Sequence, residues 1–331
     1  MGIFDVFKRK KCVWRNAVGT IACPGDNCPQ KCDERCPIWL NTLGLGVLHA
    51  GEYEKAISLF RKALTLAPDF DDAQYHMGNA YEMLDQHREA REAFAKALEI
   101  NPKYLEAMGG LIVSETRLGR YADALLHCTT YDEMGGDATR LRVKIYSSLK
   151  NADSQIQYGQ IVTILTYELL NLGVSAGYIT KKDYDRFPEI TIQAKYVCSQ
   201  IFDGVVACRD ENPDKIAHPA ETLLVWSALS GMGAVYHWSK IGNQPIGVFE
   251  FLTAERGFCA MDEYVLGSIG LGSDNRESRE LVQFLKDLFI HCIERLDEMG
   301  FDPSYEAILW AAQAMYNFGA SFEYSREALQ K

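Results

Sequence analysis

The densest chemical signal in this chain is a run of four thiols, Cys23-Pro-Gly-Asp-Asn-Cys28-Pro-Gln-Lys-Cys32-Asp-Glu-Arg-Cys36, just ahead of Pro37. Spacings of four, three and three intervening residues put all four sulfurs within 14 residues. Pro24-Gly25 marks a turn, while Pro29 and Pro37 suit the first position of a helix. A short helix opened by Pro29 sets Cys32 and Cys36 four apart, on one face. Cys28 then falls at its N-cap, where the helix dipole favours thiolate. Two loop thiols and two helical thiols can close a tetrahedral sulfur site for zinc. The same set can hold an iron–sulfur cluster, although its spacing departs from the ferredoxin run. A third reading makes them free buried cysteines packed on the following helix, or a redox-labile pair. Density favours a metal, and the lack of C-x2-C pairs counts against it.

The elements that would position this segment begin at Pro37. Asp71 to Tyr104 reads DDAQYHMGNAYEMLDQHREAREAFAKALEINPKY, with Gly78 and Tyr81 three apart. Ala90, Phe94 and Ala97 follow at helical spacing and Pro102 closes the unit. Small Gly78 and Ala90 let two helices approach closely, Phe94 fills the seam, and Pro102 ends the second helix. A shift of 34 residues upstream, Pro37 to Phe70, finds Leu40, Leu43, Gly44, Ala56, Phe60, Ala63 and Pro68 at matching places, with Val47 in place of Tyr. Downstream, Leu105 to Ala138 keeps Leu111, Tyr121, Ala124 and Leu125. It carries Ile112 for Gly and Cys128 for Phe, and lacks the closing Pro. A degraded last unit is expected where a repeat array ends.

Residues 37–138 resemble the tetratricopeptide repeat family, as units 37–70, 71–104 and 105–138. The resemblance implies an α-solenoid whose concave groove binds a peptide or partner protein. Helix A positions 2, 5, 6, 9, 12 and 13 of each repeat would then face inward. The inward set includes Asn41 and Leu45 in the first repeat, Tyr75, His76, Asn79 and Glu82 in the second, and Thr116 and Arg117 in the third. Members that clamp the carboxylate tails of chaperones place Lys, Asn and Arg where this chain has Asn41, Leu45, His76, Glu106 and Gly110. No chaperone-tail binding is therefore expected, and the ligand predicted is a mixed apolar and basic segment read by Tyr75, Asn79 and Glu82.

Composition narrows the function classes. The chain has 331 residues, 47% of them hydrophobic, enough for more than one core. Its net charge of −11 argues against a nucleic-acid ligand. Residues 1–36 are a basic tail and cysteine-rich segment, with seven Lys and Arg against four Asp and Glu. Gly2 to Arg15 suits a small docking helix or a mobile tail, since four apolar residues make a marginal membrane anchor. No secretory h-region is present, and Val6 breaks the myristoylation pattern. Ten cysteines in a chain this long do not suggest a secreted disulfide scaffold. The expected location is the cytoplasm.

Residues 139–150 predict a helix that caps the last repeat, before a polar break at Asn151 to Asp153. Residues 151–331 read as an α-helical bundle with no strand-rich block, and match no family pattern. Helices are predicted over 155–172, 190–206, 246–266, 276–299 and 304–329. The apolar stretch Pro219 to Trp238 contains one charge, Glu221, yet its glycines and His237 suit a buried central helix better than a membrane span. Glu221, His237, Glu250, Glu255, Asp262 and Glu263 lie near these apolar helices, but Ala234 precedes His237 where a Glu-x2-His di-metal motif needs Glu. Gly267 to Ser273 is a glycine-rich connector without a preceding strand. No Gly-x-Ser-x-Gly, phosphate loop or His-Glu-x2-His is present. The whole chain is therefore expected to be all-α: a three-repeat solenoid followed by a helical bundle, acting as a non-catalytic interaction protein or scaffold. The alternative is a metal- or iron–sulfur-dependent protein using Cys23, Cys28, Cys32 and Cys36. Oligomeric state is left open by the sequence.

Overall fold

A computed structural model describes residues 36–181, 194–211, 216–241, 261–272, 275–302 and 304–329. Among these residues every regular element is an α-helix. The chain divides into two compact units, Met1–Asn151 and Ala152–Lys331.

The first unit contains α1 (Pro37–His49), α2 (Tyr53–Leu66), α3 (Asp71–Met83), α4 (His87–Ile100), α5 (Leu105–Arg117), α6 (Tyr121–Glu133) and α7 (Thr139–Lys150). Their register is strict. The A helices α1, α3, α5 and α7 start at residues 37, 71, 105 and 139, each 34 beyond the last. The B helices α2, α4 and α6 start at 53, 87 and 121, with the same interval. The turn between A and B helices repeats too, because left-handed backbone occurs at Gly51 (φ 81°), Asp85 (φ 56°) and Gly119 (φ 71°), again 34 apart. Reversing the chain in three residues requires that conformation, and glycine adopts it without a Cβ penalty. Cys36 occupies the N-cap of α1 and Pro37 opens it.

Each B helix buries one stripe. In α4 this is Ala90, Ala93, Phe94 and Ala97, and in α2 Ala56, Ile57, Phe60 and Ala63. The Phe94 ring lies in a trough of glycines, and a Cβ built at Gly78 or Gly110 would stand 2.7 or 2.6 Å from it. Gly44 stands in the same relation to Phe60, at 2.5 Å. A larger residue at Gly78 must therefore push Phe94 aside, an overpacking that costs about 1–3 kcal/mol. In the third repeat Ile112 and Cys128 fill the corresponding space and are completely buried. Burial pushes the Cys128 thiol up to about 11, so it packs as a small neutral hydrophobe.

The A helices of successive repeats pack directly on one another, α1 on α3, α3 on α5 and α5 on α7. Successive B helices make no comparable contacts among the described residues. The A helices thus line the shorter, inner arc of the solenoid, as the repeat pattern predicts. The helix expected to cap the array, α7, is a fourth A helix in register, packed on α5 and α6 with Ile145 and Leu149 buried.

The second unit contains α8 (Ser154–Ser175), α9 (Ala194–Glu211), α10 (Pro219–Ile241), α11 (Met261–Ser268), α12 (Arg276–Glu298) and α13 (Tyr305–Leu329). Asp153 caps α8 by accepting from the backbone amides of Gln155 and Ile156, both at 3.0 Å. The apolar stretch from Pro219 is α10, buried from Leu223 to Val235 against α13. Their crossing is backbone on backbone: Gly231 of α10 lies on the Tyr316 carbonyl, and Gly319 of α13 on that of Ala228. No side chain fits between them, which explains why glycine and small residues crowd this stretch. The helix expected over 190–206 is described from Ala194 and runs on to Glu211. Most of the one expected over 246–266 lies outside the described residues, and α11 takes in Gly267 and Ser268 of the glycine-rich connector. Cys198 and Cys292 are free and buried, whereas Cys208 is disulfide-bonded. No described helix is long and apolar enough to cross a membrane.

Candidate functional site

The inner arc is built from four short helices whose starts share one phase, so residues at one repeat position form a row across the unit. On α3 this row includes Asp72, Tyr75, His76, Asn79, Glu82 and Met83, and its polar members have two different fates. Asp72 accepts from the Tyr104 hydroxyl at 2.7 Å. Glu82 accepts from the Ser114 hydroxyl at 2.5 Å and meets His87 Nδ1 at 3.2 Å. Asp71, at the start of the helix, is nearly buried and accepts from the Asn101 amide at 2.9 Å. These carboxylates bind the repeats together rather than facing solvent free. Burial, with Asp72 alongside, pushes the Tyr104 phenol up, so this hydroxyl stays a donor.

Tyr75 is likewise engaged. Its ring lies 5.0 Å from Tyr104, 5.2 Å from His76 and 5.9 Å from Phe94, and His76 lies 5.9 Å from Phe60. These tilted ring pairs form a half-buried aromatic floor in the middle of the arc. Burial holds the His76 imidazole below its usual value, with Asp72 pulling the other way. Its Nδ1 is buried without a hydrogen-bond partner among the described residues. Asn41 on α1 is only 7% exposed, which places it beneath the surface, while Leu45 is half-buried. Thr116 is buried too, its hydroxyl donating to the Ile112 carbonyl at 2.7 Å.

Asn79 is half-buried, and Met83 and Arg117 are exposed; none of the three has a polar or ionic partner among the described residues. Met83 is 58% exposed, a large apolar side chain in an otherwise polar setting. Of the eight inner-face residues expected from the sequence, the structure brings Tyr75, His76, Asn79 and Glu82 together on α3 and Thr116 and Arg117 on α5. It engages Glu82, Tyr75 and Thr116 internally.

Sequence reasoning placed Thr116 and Arg117 on the inner face but missed the residues of α7 that face them. Val113, Thr116 and Arg117 of α5 face Leu141, Lys144 and Ser148 of α7 across a cleft of about 300 Å³. The signal was the 34-residue shift, which also makes Thr139 the start of an A helix. A second hollow of about 320 Å³ follows one face of α1, lined by Trp39, Thr42, Leu43, Gly46 and Val47.

Among the proposed metal ligands, Cys36 is a free, buried thiol at the start of α1. Cys23, Cys28 and Cys32 lie outside the described residues. No three His, Cys, Asp or Glu side chains converge as a metal site among the described residues. In the second unit two glutamates pair with cationic groups on α12. Glu168 of α8 meets Arg295 at 2.7 Å and His291 at 3.2 Å on α12, and Glu221 pairs with Lys286 at 2.8 Å. Glu263 is exposed, while the side chains of His237, Glu250, Glu255 and Asp262 lie outside the described residues.

The tetratricopeptide repeat family matches residues 34–103 and, through a second model of that family, residues 75–138. Residues 34–138 are a tetratricopeptide repeat segment. The chain is 33% identical over 90 residues to the peroxisomal targeting signal receptor of Eremothecium gossypii, covering 27% of this chain and 16% of that protein. It is also 33% identical over 87 residues to the receptor of the same name from Candida albicans, covering 26% and 15%. An uncharacterized protein of Methanocaldococcus jannaschii is 37% identical over 57 residues, 17% of this chain and 66% of its own length. The chain thus spans less than a fifth of the two receptors. Among solved structures, the tetratricopeptide domain of Sgt2 from Aspergillus fumigatus aligns at 24% identity and a TM-score of 0.32, over 35% of this chain and 78% of that one.

Proposed function

We propose that this chain is a non-catalytic adaptor that captures a partner protein along the inner arc of its first unit. The observation that carries the reading is the row of A helices, whose inner faces leave Asn79, Met83 and Arg117 without partners around an aromatic floor. An extended segment suits such a surface. Its backbone groups can hydrogen-bond to Asn79, and an apolar side chain can settle on Met83, whose unbranched thioether adapts to many shapes. Glu82 and Asp72 belong to the frame, because their oxygens are already used by the repeats. Two similar proteins are named as receptors for a targeting signal, which supports a recognition role for the repeats.

The test is capture from native lysate by the full chain. Asn79→Arg with Met83→Arg should cut recovery of the partner at least tenfold while leaving the melting temperature within a degree or two, because neither side chain is buried. Undiminished recovery would move the binding surface elsewhere.

A further inference from the structure

The cleft between α5 and α7 is lined by two cations and no carboxylate. Several other cations of the repeats are matched to carboxylates. Arg91 and His127 meet the buried Glu115 at 3.2 and 2.7 Å, Arg120 meets Asp123 at 2.7 Å and Arg142 meets Asp132 at 2.7 Å. Arg117 and Lys144 are exposed and have no carboxylate partner among the described residues. Both line the cleft. Val113 and Arg117 are four apart on α5, and Leu141 and Lys144 three apart on α7, so each helix offers one apolar and one cationic side chain on the same face. The acidic residue nearest the other end of α5, Glu106, lies 11 positions from Arg117, about 16 Å along the axis. At about 300 Å³ the cleft is at the small end of ligand sites, large enough for one or two side chains and not for a folded surface.

We propose that this cleft is the anion-reading end of the groove: it seats an acidic side chain of an extended peptide between Arg117 and Lys144, with the peptide's apolar neighbour against Val113 and Leu141. The proposal rests on the groove reading above and specifies its ligand. It also reverses the ligand polarity expected from sequence. That expectation had Glu82 reading the ligand, whereas Glu82 is engaged by Ser114 and His87 while Arg117 and Lys144 have no carboxylate partner among the described residues. Guanidinium and ammonium groups facing one carboxylate from two helices give specificity by charge, while the apolar walls exclude water from one side of the contact.

A random heptapeptide library, displayed at the N-terminus of a carrier so that no free carboxyl end is offered, tests this on the immobilised full chain. Enrichment of Asp or Glu beside Leu, Ile or Val is expected. The selected peptides should bind at least tenfold more weakly to Arg117→Glu with Lys144→Glu, and several-fold more weakly to the milder Arg117→Gln with Lys144→Gln. Both pairs are exposed, and an unchanged melting temperature confirms that they fold. Enrichment without an acidic preference, or binding indifferent to the charge swap, overturns the anion site and leaves the groove reading standing. Enrichment only when the library is presented with free carboxyl ends replaces the acidic side chain by a terminal carboxylate and also overturns the proposal. No enrichment in either format removes both readings.

Discussion

At the scale of single residues, the groove is held by groups that a sequence pattern marks as ligand-facing but that the fold consumes. His76 is the clearest. It sits in the expected place on α3, yet Phe60 and Tyr75 flank it and burial holds its imidazole below the usual value. The unfolded chain protonates this residue near pH 6.5, while the folded chain resists. As pH falls through that value the unfolded state binds the extra proton, so the stability His76 provides is intact above pH 6.5 and is lost below it. Urea midpoints at pH 7.5 and 5.5 should therefore fall more for the native chain than for His76→Gln. Equal falls would contradict the burial argument. The four thiols pose a separate question at this scale. We propose that Cys23, Cys28, Cys32 and Cys36 bind zinc, the metal that four thiolates favour. The purified chain should carry about one equivalent, and Cys32→Ser should release it. Less than one equivalent of any transition metal, with all four thiols alkylated in the native state, ends that idea.

At the scale of elements, the repeat was legible because its spacing is enforced by contacts that recur. Gly78, Ala90 and Phe94 announce a close helix pair, and the structure shows why, with the ring of Phe94 lying against two glycines. The third repeat was recognisable by its register and by Leu111, Tyr121, Ala124 and Leu125, although Ile112 and Cys128 solve the same packing problem with different volumes. The second unit was legible as helices and not as a site. Its central crossing depends on Gly231 and Gly319, which are 88 residues apart and form no motif that a reading along the chain can join. Internal hydrogen bonds were equally invisible, so Glu82 looked available when Ser114, 32 residues away, already donates to it. The repeated turn yields a direct test. Gly51 and Gly119 adopt left-handed backbone without penalty, whereas Asp85 adopts it with a Cβ. Asp85→Gly should relieve up to about 1 kcal/mol of that strain and raise the melting temperature. A lower one would mean that the Asp85 side chain contributes more than its backbone costs.

At the scale of the whole molecule, each unit has its own logic. The first is a repeat array whose inner arc leaves exposed groups unsatisfied, and the second buries a glycine-mediated crossing and ties Glu168 and Glu221 to Arg295, His291 and Lys286. The proposed recognition is placed in the first unit. The most direct measurement is amide hydrogen exchange on the full chain, with and without a saturating peptide selected on it. Slower exchange should map to α1, α3, α5 and α7, with α2, α4 and α6 unchanged. Slowing confined to the B helices, or to residues 152–331, would contradict the account.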